Sequence, residues 1–273
     1  MAIALLVVGA LLVGISKTSI GGLSVLSVMA FALAMPTKES TGAVLLVYLA
    51  GDVVATVRYR RNVSWRMLGE LVPWVVPGLV LGAGFLTVVD AVTLRRWIGA
   101  IVAVAALVQV AMWWSARRPG ASQPESLPPE MQQQVAHFVG SRSISAGTHA
   151  GWHRWRTMGA VALAGLAAGF TTMAANAGGA VMSLYLLAKK VDKLTFVGTA
   201  AWFFFAVNLA KLPFSIGVGA ITASVAWTVA PLVPVVWIGC AIGIQVLKVI
   251  PQRAFNALAL ASAVVASVAL LVS

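Results

Sequence analysis

The sequence predicts an all-α polytopic membrane protein made of two inverted repeats. Each repeat is a broken, re-entrant-like helical hairpin followed by three transmembrane helices. Three observations predict this. The 273 residues are 60% hydrophobic and only 10% charged, with a mean hydropathy of +0.96, more apolar surface than a water-soluble domain can bury. Two apolar stretches are each interrupted by small and polar residues around a glycine pair, Gly21-Gly22 and Gly178-Gly179. Those pairs lie 157 positions apart, as do Pro77 and Pro234, Gly82 and Gly239, and Arg96 and Arg253. Four matches at one offset, in elements of the same order, read as a tandem duplication.

The first element covers residues 2–35. Its two apolar runs, 5–13 and 23–35, are each shorter than the roughly 20 residues a spanning helix needs. Between them, residues 14–22 carry Lys17, the hydroxyls of Ser16, Thr18 and Ser19, and three glycines. A charge and non-helical backbone at that depth are tolerated where they line a cavity or are buried in protein. A second half-helix starting near Ser19 would turn its free N–H groups toward the break, beside the Lys17 ammonium. The stretch reads as half of an anion site.

Spans follow at 40–57, at 67–89 (with Pro73 and Pro77) and at 94–114. Residues 115–156 are rich in Pro, Ser, Gln and Gly and read as a solvent-exposed linker with one short helix near 130–139. The second broken element covers 157–188, interrupted at 171–179, and spans follow at 195–214, 223–243 and 253–273. The units are thus 1–114, a linker at 115–156, and 157–273. The N-terminal run lacks a positive n-region, so it belongs to the first element rather than to a signal peptide.

Topology follows from the 19 Lys and Arg residues. If each broken element enters and leaves on one face, 14 of them fall on one side of the membrane and 3 on the other. If it crosses, the loops split 9 against 8. Basic residues favour the cytoplasm, so the lopsided arrangement is expected. Both termini then face outward and the linker is cytoplasmic. The hairpins enter from opposite faces with their tips near the midplane.

Candidate substrate-binding residues are Lys17, Ser16, Thr18, Ser19, Gly21 and Gly22 in the first break, with Thr171, Thr172, Asn176, Gly178 and Gly179 in the second. Each hydroxyl can donate to an oxyanion or satisfy local backbone. The glycines admit a ligand or pack helices. Asn176 can donate its amide to an anion or cap the half-helix that follows. Asp52 and Asn208, 156 apart, occupy comparable places in the two halves. Asp52 is either a proton carrier or the counter-ion of Lys17 or Lys211. Lys211, before Pro213, is expected to snorkel to the interface.

Several functions are excluded by composition. A basic excess confined to short loops argues against nucleic acid. The single cysteine, Cys240, allows no internal disulfide and no cysteine metal cluster. His149 and His153 lack further ligands for a metal. No Gly-rich loop ending in Lys-Ser or Lys-Thr marks a nucleotide site. No cofactor, no metal and no enzyme activity are expected.

The two Gly-Gly breaks, the turn from Pro36 to Gly42 and the Pro/Gly-bearing third element resemble the sulfite exporter TauE/SafE family, also called toluene-sulfonate uptake permeases. The resemblance covers the chain except the linker. It implies a multi-pass protein of the bacterial inner membrane that moves sulfite, organosulfonates or related oxyanions. The expected function is secondary transport of such an anion by alternating access, with the site at the hairpin tips. An anion channel or a membrane scaffold is the alternative. The expected partners are the small anion and the bilayer.

Overall fold

The computed structural model describes residues 2–19, 24–88, 147–176 and 178–272. The described residues are helical, with no strand among them. Helix α1 (Ala2–Thr18) and the 11-residue α2 (Ser24–Ala34) flank the first break. Next come α3 (Thr37–Tyr59) and α4 (Trp65–Val88). After the gap, α5 (Gly147–Ala175) and the 11-residue α6 (Gly178–Ala188) flank the second break. Then follow α7 (Lys193–Gly217), α8 (Ala223–Val229), a 3-10 turn at Ala230–Leu232, α9 (Val233–Val249) and α10 (Gln252–Val272). Among the described residues, four segments are long and apolar enough to cross a membrane: Lys38–Tyr59, Trp65–Gly84, Lys193–Gly217 and Ala223–Val249. At 11 residues, α2 and α6 reach about 17 Å, far short of a ~30 Å hydrocarbon core.

Local chemistry explains the boundaries. Asp192 caps α7, accepting from the Leu194 and Thr195 amides, and Thr222 caps α8 through the Val225 amide. Glu39 in the first turn and Arg58 in the last turn of α3 oppose its dipole. Pro231 and Pro234 interrupt the α8–α9 segment, since each lacks an N–H for the helix ladder.

Three sequence expectations need correction. The first break does not begin at Gly14, because α1 continues to Thr18. The Thr18 hydroxyl bonds Gly14 O at 3.0 Å and the Ser19 hydroxyl bonds Ile15 O at 2.6 Å, so these side chains satisfy the last helical turn. Gly14 is needed for packing: a Cβ there would fall 2.1 Å from Val236 O on α9. The second break is likewise shorter, since Thr171 donates to Ala167 O within α5 and the helix runs to Ala175. Helix α5 also starts at Gly147, inside the stretch read as linker. The expected span at 94–114 and short helix at 130–139 lie outside the described residues.

Helix directions follow from close approaches. Gly42, near the start of α3, abuts Ala220 just past the end of α7. Gly198, near the start of α7, abuts Asn62 just past the end of α3. So α3 and α7 run antiparallel. Helix α1 crosses α9 through Gly14, Gly239 and Gly243, and α5 crosses α4 through Gly78, Gly82 and Gly169. Small residues let backbones touch where lipid offers no hydrophobic drive. Apolar side chains such as Val57, Val80, Leu163 and Trp227 point outward, 65% to 79% exposed, as lipid contact requires.

Candidate functional site

The last turn of α1 carries Lys17 toward α3. Its ammonium lies 2.7 Å from Asp52 Oδ1, with side chains 8% and 0% exposed. The other carboxylate oxygen accepts from Asn208 Nδ2 of α7 at 2.6 Å. Asp52 and Asn208 therefore touch directly, although 156 positions separate them. The Lys17 ammonium also sits over the Tyr48 ring at 4.4 Å and the Phe204 ring at 5.0 Å, a cation–π arrangement that restrains it from two helices.

In the second half, Asn176 follows the end of α5 with φ 52°, the left-handed conformation that closes many helices. It thus ends the preceding helix. Thr172 O accepts from the Asn176 amide at 3.2 Å and from Lys211 Nζ at 2.8 Å. The same ammonium donates to Asn176 Oδ1. Lys211 does not snorkel: it is 7% exposed, because the free carbonyl end of α5 and the Asn176 amide oxygen offer it acceptors inside the protein.

A cavity opens between the two breaks. About 40 Å³ of it accommodates the centre of a water molecule, room for a ligand of a few heavy atoms. Of the residues singled out from sequence, Ser16, Lys17, Ser19, Thr172, Asn176, Gly179 and Asn208 line it. Asp52 and Lys211 stand one side chain behind the wall. Thr18, Thr171 and Gly178 do not line it. Thr18 donates to Gly14 O and Cys240 O, Thr171 serves its own helix, and Gly178 packs on Thr172. Gly21 and Gly22 lie outside the described residues.

Sequence reasoning missed eight lining residues, the polar Ser24, Tyr48 and Ser183 and the apolar Phe196, Val197, Ala200, Ala201 and Phe204. A signal existed for some of them. Tyr48 and Phe204 are 156 apart, one helical turn before Asp52 and Asn208. Buried Ser27 and Ser183 share that offset. Among the described residues no three His, Cys, Asp or Glu side chains gather as metal ligands.

The family model for the sulfite exporter TauE/SafE matches residues 6–270. The chain belongs to this family. No curated protein and no solved structure matches it. The sulfite exporter TauE/SafE family comprises membrane transporters rather than enzymes, which accords with the apolar helices. The TauE/SafE match runs from α1 to α10 and so includes every residue around the cavity.

Proposed function

We propose that the chain is a secondary transporter, working as an exporter, of small sulfur-containing oxyanions such as sulfite or organosulfonates across the inner membrane. The observation that carries this reading is a small cavity between two helix breaks with the Lys17 ammonium in its wall. An oxyanion there competes with Asp52 for Lys17, while Asn208 retains the displaced carboxylate. Thr172, Ser183 and the start of α6 supply further donors, and helix N-termini favour anions. The Phe204, Ala200 and Ala201 side of the cavity suits the apolar part of a sulfonate.

Transport proceeds by alternating access of two inverted repeats, 1–114 and 157–273, joined by a cytoplasmic linker at 115–156, with both termini outside. The antiparallel α3 and α7 support the inversion, as do the matched crossings of α1 on α9 and α5 on α4. The two breaks then approach the cavity from opposite faces as re-entrant hairpins. Outward movement of a monoanion down an inside-negative potential gains about 2.3 kcal/mol per 100 mV, so export needs no coupled proton.

The test is flux of labelled sulfite and small sulfonates in proteoliposomes under an imposed potential. Saturable flux that Lys17→Ala abolishes is expected. Flux that never saturates would replace the carrier with a channel, and undiminished flux in Lys17→Ala would remove Lys17 from the site.

A further inference from the structure

We infer that the cavity selects its anion by charge, accepting monoanions over dianions, and that Asp52 and Lys211 set this selectivity without touching the ligand. The inference rests on the transport reading above and specifies the substrate class of the same site. Among the described residues, the ionisable groups around the cavity are two lysines and one aspartate. Lys17 is in the wall. Asp52 is 2.7 Å from Lys17 and 0% exposed, and it is also bonded to the lining residue Asn208. Lys211 donates to the lining residues Thr172 and Asn176. Its partners there are a backbone carbonyl and an amide oxygen at the negative end of α5, acceptors that suit a protonated amine. The other described carboxylates, Glu39, Glu70 and Asp192, are not among the buried groups.

With all three ionised, the surplus around the cavity among the described residues is a single positive charge. One monoanion cancels it, and the occupied cavity can cross the membrane interior as a neutral unit. A dianion leaves a net negative charge away from water, which low-dielectric surroundings penalise. The repeat makes the count asymmetric. Asp52 has an amide, Asn208, as its counterpart at the 156-residue offset, so the site holds one carboxylate where symmetry would give two. A second carboxylate would cancel the surplus, and none would raise it to two.

The experiment is equilibrium binding of methanesulfonate and sulfate to the purified full-length protein at one neutral pH. The two anions have similar shape but one and two charges. Wild type should bind methanesulfonate at least about tenfold more tightly than sulfate. Asp52→Asn should move the preference toward sulfate by a similar factor, and adding Lys211→Met to it should restore the wild-type order. That restoration is not expected of residues that merely support the fold. If Asp52→Asn cannot be purified, Lys211→Met alone decides, because sulfate affinity must fall further than methanesulfonate affinity. Wild type binding both anions equally, or variants with an unchanged ratio, would overturn the charge assignment alone. Wild type binding neither anion would overturn the oxyanion reading and this inference with it.

Discussion

Lys17→Met separates the structural role of the buried ion pair from its role in transport. Lys17 Nζ and Asp52 Oδ1 are 2.7 Å apart, with side chains 8% and 0% exposed. At that distance two unit charges attract by about 6 kcal/mol at an effective dielectric of about 20. Both ions lost their water to meet, so the intact pair adds little net stability. Removing one partner is different: Asp52 stays buried with only the Asn208 amide donating to it, and must hold an uncompensated charge or take up a proton. The expected cost is about 3–5 kcal/mol. Methionine keeps an unbranched stem, so little packing is lost. The unfolding temperature of the solubilised protein should fall by on the order of 10 °C. Lys17→Met/Asp52→Asn should recover most of that loss, because no uncompensated charge remains. Flux should stay absent in both variants, since neither presents an ammonium to the anion. A Lys17→Met protein as stable as wild type would refute the ion-pair argument. A double variant with full flux would refute the assignment of Lys17 to the ligand.

Four further positions give expected outcomes. Gly14→Val places a Cβ 2.1 Å from Val236 O and should destabilise the α1–α9 crossing by about 1–3 kcal/mol or more. Gly69→Ala, with open space around it, should be neutral or stabilising by up to about 1 kcal/mol in the same thermal assay. Ser183→Leu puts a larger apolar side chain into the cavity wall, so proteoliposome flux should fall to the level of empty vesicles while thermal stability is retained. Asp192 supplies a pH dependence. Partial burial pushes its carboxyl up, but hydrogen bonds from Thr195 and Leu194 outweigh this and hold it below the ordinary value. A carboxylate lowered on folding adds stability above its unfolded pKa of about 3.9 and loses it as pH falls through the folded value. Unfolding temperatures measured between neutral and acidic pH should therefore show a smaller acid loss in Asp192→Asn, which still caps α7. Asp192→Ala should lose about 1 kcal/mol at neutral pH.

Membrane character, the order of the apolar helices and, among the described residues, the approximate positions of four long spans were legible from the residues alone. Hydropathy, helix length and turn chemistry are local properties, and each can be read along the chain. The sequence also marked both interruptions, because a glycine pair and hydroxyls inside hydrocarbon are conspicuous. It misread their extent. Whether Thr18 and Thr171 open a break or satisfy a helical turn depends on which carbonyl each hydroxyl reaches. The role of Gly14 was equally invisible, since the backbone it must admit belongs to α9, more than 200 residues away. That Asp52 meets Lys17 rather than Lys211, and that Lys211 turns inward to the end of α5, emerges only from the packed helices. The same packing brought Tyr48 and Phe204 over one ammonium. Those pairings depend on which faces of α1, α3, α5 and α7 meet. Long, nearly uniform apolar helices carry little periodicity to say which face turns inward, so the sequence could name the polar residues but not their partners.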